Sequence, residues 1–331
     1  MDKEKQMKTI VFTRYGSPDV LQLEDVAKPI PKPNEVLIKI HAASANPLDW
    51  HRMRGAPILA RLDGGLSKPK DTKMGADVAG VVEAVGSEVT QFRPGDEVFG
   101  DIFTGAFAEY VCAPEKTLAL KPANSTFEEA AAVPVAALTA LQGLRDKGQL
   151  QPGQKVLVNG ASGGVGTFTV QIAKALGAEV TGVCSTRNLE MVRKIGADQV
   201  IDYTREDFTK TGQQYDLIYD AVGNYDVPAY TRALKPNGVC AIAGFTTMGR
   251  LFGNIILGAI SAKTVGKKIE IFSAKASQKD LMFIKDLIEA GKVKPVIDKR
   301  YPLVETADAI RYLETARARG KVVIHVDDNA A

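Results

Sequence analysis

From Asn159 to Gly166 the chain reads NGASGGVG, a run of small residues between a β-branched and leucine stretch, Lys155 to Asn159, and an amphipathic stretch with Val165, Phe168, Ile172 and Leu176 at helical spacing. The pattern is that of strand, glycine turn and helix. Gly163 and Gly166 fill the second and third places of a G-x-G-x-x-G fingerprint whose first place is Ala161, and Gly160 adds freedom where the backbone must reverse. Small residues at such a turn let main-chain N–H groups approach a pyrophosphate lying at the positive end of the helix. About twenty residues beyond the turn, where an acidic residue usually meets the ribose of NAD, the chain has Ser185, Thr186 and Arg187. Two hydroxyls and a guanidinium suit the extra 2′-phosphate of NADP(H), which a carboxylate would repel. Ser185 to Asn188 can also serve to cap the next helix, and the two uses are compatible.

Positioning these residues takes a parallel sheet. After Gly177 stops the first helix, strands are expected at 178–184, 199–203, 216–222, 239–243 and 267–272, with helices at 188–195 and around 225–234, the latter ending at the turn KPNG. Such alternation predicts helices on both faces of the sheet and ligands beyond the carboxyl ends of its strands. Tyr203, Val222, Gly223, Gly244 and Phe245 all fall at such ends. Before this region, residues 8–14 and 35–43 read as strands, and short glycine-broken strands from Lys73 to Tyr110 suggest a compact β-barrel-like domain. The alanine-rich run from Phe127 to Leu144, interrupted at Pro134, is helical in propensity and carries the chain into the second domain. Two amphipathic helices and the closing strand KVVIHV show no separate core, which predicts that the tail packs back on the first domain.

The whole chain constrains function further. At 331 residues it is too long for one core, and 42 basic against 39 acidic residues include no block of the kind that follows a nucleic-acid backbone. Cys112, Cys184 and Cys240 are odd in number and lie in apolar contexts, which favours free buried thiols. The longest apolar stretch, Leu251 to Ala262, is about half a membrane span and reads as a cover over a cleft or a subunit contact. The opening MDKEKQMK has no apolar core behind it, so a cytoplasmic address is expected.

With NPLDWHRMRG, GADVAGVVEAVG, RPGDEVFG, GAFAEYV, VPVAALTALQGL, the glycine turn, GADQVIDY, DLIYDAVG and GKVVI in view, the chain resembles the medium-chain dehydrogenase/reductase superfamily, in its zinc-independent quinone oxidoreductase (zeta-crystallin-like) branch. The resemblance implies an α/β protein with a GroES-like substrate domain made from both chain ends (1–128 and 277–331) and a Rossmann NADP-binding domain between them (129–276). It also implies homodimers or tetramers. Zinc-dependent relatives carry a cysteine within the segment here reading NPLDW and a His-Glu pair where this chain reads Gly75-Ala76-Asp77, so no metal is expected. Without that Lewis acid, alcohol oxidation gives way to hydride transfer from NADPH to a quinone or an α,β-unsaturated carbonyl compound. By the same resemblance Asn46 and Thr139 would hold the nicotinamide end. Ser162, Gly163, Gly164 and Val165 would meet the pyrophosphate, and Ser185, Thr186, Arg187 and Tyr203 would surround the 2′-phosphate. Phe245 and residues 251–262 would line the substrate end. His51 is the one ionisable group nominated as a proton donor, against an orienting or surface role. The alternatives are an NADP-dependent alcohol dehydrogenase or aldehyde reductase of the same superfamily, and a non-catalytic NADPH-binding, crystallin-like protein.

Overall fold

The computed structural model describes residues 6–57, 61–244, 246–247, 249–250, 253–254, 256–258 and 266–326. Phe245 and much of the 251–262 stretch lie outside them. The chain divides into two compact units, one of Met1–Val135, Ala276–Glu289 and Pro295–Ala331, the other of Ala136–Lys275 and Ala290–Lys294.

The second unit is built on a six-stranded parallel sheet. Across it run Gln199–Asp202, Glu179–Cys184, Lys155–Asn159, Tyr215–Asp220, Leu234–Ile242 and Lys268–Ile271. In chain order this is 3-2-1-4-5-6, the doubly wound Rossmann arrangement, whose order reverses between the strands ending at Asn159 and Asp220. Val156, Leu157 and Val158 are wholly buried, as a strand covered on both faces requires. The helix Gly164–Ala175 turns Phe168 and Ile172 inward and ends before Gly177, whose φ of 86° only glycine adopts freely.

In the first unit, a mainly antiparallel sheet runs in the order Ile297–Pro302, Lys321–His325, Glu35–Ala45, Asp77–Val85, Glu97–Asp101 and Leu118–Leu120, with Tyr110–Pro114 also paired to Glu35–Ala45. The closing strand lies antiparallel to the 42–45 segment, so both ends of the chain share one GroES-like sheet. Its core includes Val36, Ile38, Ile40, Val78, Val98, Phe107, Val322 and Ile324. The break at Pro134 is present: Phe127–Ala131 forms one short helix, begun by a hydroxyl cap from Thr126, and Pro134–Gln142 another.

Some local expectations change. The expected turn KPNG lies within the strand Leu234–Ile242, where Asn237 has φ 61° and the pairing register slips beside it. Strands Gln22–Ala27 and Ile297–Pro302 were not anticipated. Neither has a wholly buried face, so neither shows the period-two pattern that marks a strand in sequence.

Candidate active site

The glycine turn closes tightly. Gly160 has φ 81°, and Gly166 sits so near the start of the turn that a Cβ there would lie 2.0 Å from the Gly160 carbonyl oxygen. Gly163 begins the helix Gly164–Ala175, and no side chain caps it. Its first N–H groups, with Gly164 and Val165 partly exposed, are thus left for an anion, which the helix dipole favours. Ser162 is also partly exposed and its Oγ accepts from Asn188 Nδ2 at 2.9 Å.

At the neighbouring strand end, Ser185 is partly exposed, while Thr186, Arg187 and Tyr203 are exposed. The backbone N–H of Tyr203 donates to the Cys184 carbonyl at 3.1 Å, which ties the two strand ends together. Thr186 Oγ1 donates to Asp202 Oδ2 at 2.5 Å, and Thr204 Oγ1 donates to Asp202 Oδ1 at 2.8 Å. Those bonds, the one from Thr186 first, hold the Asp202 carboxyl below its ordinary range. A carboxylate therefore stands beside the hydroxyls, leaving Arg187 and Ser185 as the groups suited to a 2′-phosphate. Neither Ser185 nor Asn188 makes a side-chain cap to the turns they begin, so the capping use of this segment is not realised. Arg187→Ala is expected to weaken NADPH binding about tenfold with little change for NADH, read by titration with each carrier; equal affinities in wild type and variant would remove the guanidinium from the phosphate site.

Val222 and Gly223 are placed by Asp220, which is fully buried at the end of its strand. Its Oδ1 accepts from the N–H groups of both residues, at 2.7 and 2.8 Å, and from Asn159 Nδ2 at 3.0 Å, while its Oδ2 accepts from Tyr230 OH at 2.6 Å. Gly244, at the next strand end, lies where a Cβ would come within 2.6 Å of the Ala221 carbonyl oxygen. Thr139 is partly exposed on the helix Pro134–Gln142, and its carbonyl accepts from Tyr219 OH at 2.9 Å. The turns at these strand ends are thus fixed from beneath.

In the first unit a buried polar network surrounds Asn46. Lys321, 3% exposed, donates from Nζ to Asn46 Oδ1 at 2.6 Å and to Asp77 Oδ2 at 3.0 Å. Asp77 is wholly buried; its Oδ2 also accepts from Asn46 Nδ2 at 2.8 Å and Ser44 Oγ at 2.6 Å, and its Oδ1 from the Val135 N–H at 2.7 Å. Asn46 Nδ2 further donates to the Ser44 carbonyl at 3.3 Å, so both amide hydrogens are used inside the protein. Asp77 and Lys321 lie in the segments GADVAGVVEAVG and GKVVI, but neither segment signals locally that the two side chains meet. The pairing of their strands with Glu35–Ala45 brings them together.

Asp49 begins the helix Pro47–Arg54 by accepting the Asn46 N–H at 2.7 Å. Burial pushes its carboxyl up to about 7, and the Asp77 charge adds to the rise. Between about 4 and that value the folded protein keeps a proton which the unfolded chain has released. This contribution to stability is full below about pH 4 and is lost as pH rises through the folded value. Asp49→Asn, which cannot ionise, is expected to lose less melting temperature than wild type between about pH 5 and about pH 8; equal slopes would mean that Asp49 does not titrate there.

His51, on the same helix, stacks on Trp50 with ring centroids 3.7 Å apart. Its Nδ1–H donates to the Ala56 carbonyl at 2.7 Å, and burial lowers its pKa despite that bond. At neutral pH the ring is therefore neutral with its hydrogen on Nδ1, a form fitted to bracing the helix end.

Comparison with known proteins now defines the class. Residues 32–123 match the alcohol dehydrogenase GroES-like domain, and residues 195–324 match the family described as zinc-binding dehydrogenase. The chain is 39% identical to the 2-methylene-furan-3-one reductase of Solanum lycopersicum, over 97% of this chain and 79% of that protein. It is 38% identical to the chloroplastic NADPH-dependent alkenal/one oxidoreductase of Arabidopsis thaliana, over 97% and 80%. The solved quinone oxidoreductase from Coxiella burnetii superposes with a TM-score of 0.85 at 32% identity, covering 98% of this chain and 100% of that one. The chain belongs to the medium-chain dehydrogenase/reductase superfamily, among its quinone and alkenal oxidoreductases.

The cofactors of that family can be tested against the residues present. A dinucleotide fits: the uncapped helix start, the close approach of Gly166 to Gly160 and the hydroxyls at the 185 strand end form a cradle that larger side chains would fill. Zinc does not fit at the segments where zinc-dependent relatives bind it. Asn46 and Asp77 are already joined there by an ammonium group, a cation that coordinates nothing. Among the described residues no group of three or more His, Cys, Asp or Glu could hold a metal ion, and all three cysteines are free. No helix among them is long and apolar enough to cross a membrane.

Proposed function

We propose that this protein is an NADPH-dependent oxidoreductase that transfers hydride, without zinc, to a quinone or to the β-carbon of an α,β-unsaturated carbonyl compound. The observation that carries the reading is the Lys321 ammonium on Asn46 and Asp77, where a Lewis-acid metal would otherwise serve alcohol chemistry. The names of the tomato and Arabidopsis relatives support it. When bound, NADPH supplies the hydride.

The chain's own residues bind and orient. Ser162, Gly163, Gly164 and Val165 receive the pyrophosphate; Ser185, Arg187 and Tyr203 receive the 2′-phosphate, with Thr186 and Asp202 beside it. Val222, Gly223 and Gly244 shape the strand-end surface, Asn46 and Thr139 serve the nicotinamide end, and Phe245 the substrate end. Hydride arrival leaves either an enolate, which takes one proton at its α-carbon to give the saturated carbonyl compound, or a phenolate, which takes one proton on oxygen to give the hydroquinone. Solvent delivers it, because the His51 hydrogen is committed to Ala56 and its ring is neutral; His51 orients the helix. The exposed Ile256 and Leu257 support association into a homodimer or tetramer, which light scattering would test. A cytoplasmic address belongs to the same proposal.

A panel of quinones, enals and simple aldehydes, each with NADPH and with NADH, tests the reading. Fast NADPH oxidation with the first two classes is expected. Preference for simple aldehydes would favour the alcohol dehydrogenase alternative, and tight NADPH binding with no turnover would favour the non-catalytic one.

A further inference from the structure

Asn188 does not do what an asparagine at its position ordinarily does. It precedes the helix Leu189–Lys194, where an asparagine oxygen usually accepts from the first-turn N–H groups, yet its side chain makes no such bond. The residue is 4% exposed and its Oδ1 is buried without a partner. Its Nδ2 donates to Ser162 Oγ at 2.9 Å and to Ser185 Oγ at 3.3 Å. A helix cap is forgone and a buried acceptor left unsatisfied, both unfavourable, in an arrangement that joins the glycine turn to the neighbouring strand end.

The direction of those bonds matters. A hydroxyl has one hydrogen to give. Because Ser162 and Ser185 each accept from the amide, each keeps its own hydrogen for another acceptor. Thr186 and Thr204 are wired the opposite way, with their hydrogens given to Asp202. A phosphate dianion offers only acceptors, whereas a ribose hydroxyl also needs somewhere to place its hydrogen.

We propose that Asn188 is a positioning residue that sets the choice of carrier: by holding Ser185 as a donor, and tying it to Ser162 of the glycine turn, it tunes the adenosine end of the site to the 2′-phosphate of NADP(H). The inference rests on the NADP(H) reading above and adds to it the residue that sets the polarity of the pocket.

Dissociation constants for NADPH and NADH, measured on the full chain, test it in wild type, Asn188→Ala, Ser185→Ala and the double variant. Asn188→Ala is expected to weaken NADPH about tenfold and NADH less than about twofold. The double variant is expected to lose little more than the larger single loss, since the two side chains act as a unit. Asn188→Asp, an isostere with no hydrogen to donate and an added charge, is expected to weaken NADPH about a hundredfold. Melting curves report folding, and if Asn188→Ala does not fold, the partly exposed Ser185→Ala decides alone: an NADPH-selective loss supports the proposal and an unselective one overturns it. Equal weakening of both carriers by Asn188→Ala, or additive losses in the double variant, would overturn the proposal while leaving the NADP(H) reading intact. A wild-type protein without preference for NADPH overturns that reading, and the proposal with it.

Discussion

Replacing Lys321 by methionine is expected to destabilise the protein by about 3–5 kcal/mol, because the change strands a buried carboxylate. Asp77 is wholly buried, and its remaining donors, Ser44 Oγ, Asn46 Nδ2 and the Val135 N–H, are neutral. Neutral donors solvate a carboxylate without balancing its charge. Asn46 Oδ1 would lose its ammonium partner at the same step, freeing the amide that resemblance places toward the nicotinamide. Turnover is therefore expected to fall along with stability. Removing both charges together, as Lys321→Met with Asp77→Leu, should recover part of the loss, short of about 1–3 kcal/mol for each of the Ser44 hydroxyl and the Asn46 amide hydrogen that give up Asp77 as acceptor. Chemical denaturation of the three proteins measures this. A single variant within about 1 kcal/mol of wild type would show that the pair contributes no more than an exposed ion pair does.

Gly166→Ala is expected to reduce NADPH affinity about a hundredfold or more and to lower the melting temperature. The added Cβ would sit 2.0 Å from the Gly160 carbonyl oxygen and 2.8 Å from Ala161 Cα, both backbone atoms that cannot swing aside. Moving them displaces the turn, and losing two bonds to a charged phosphate at about 1.5–3 kcal/mol each accounts for a loss of that size. Gly163→Ala makes the control. Its Cβ would meet only the Gly160 carbonyl oxygen, at 3.5 Å, an ordinary contact, and its φ of −84° suits any residue. This variant is expected to keep its melting temperature and lose cofactor affinity, since the methyl group would stand where the pyrophosphate approaches. Melting curves and nicotinamide fluorescence titrations separate the two cases. Wild-type affinity in Gly166→Ala would place the pyrophosphate elsewhere.

The sequence makes the second unit readable because its signals are local. The strand Lys155–Asn159, the turn and the helix after it are continuous in the chain, and each glycine stands for a backbone need that its neighbours reveal. The polar network of the first unit is readable only after folding. Lys321 and Asn46 are 275 residues apart, and a lysine opening the strand KVVIH looks like any charge at a strand end. Sequence could suggest from the missing Cys and His-Glu that zinc had no ligands, but it could not supply the ammonium that stands there instead. Asn188 misled for a related reason. Asparagine before a helix reads as a cap, and only the fold shows its side chain turned toward Ser162, 26 residues earlier. Asp202, a plausible strand-end charge in sequence, likewise emerges as the partner of Thr186 only when strands 179–184 and 199–202 pair.

The central claim, hydride transfer from NADPH with an ammonium in place of a catalytic metal, is tested most directly by one paired measurement. NADPH oxidation with a quinone and with an enal is followed before and after exhaustive treatment with a strong zinc chelator, with zinc content determined on the same samples. The account predicts equal rates and no rate-limiting zinc. A rate that falls as zinc is removed and returns when zinc is restored would contradict it.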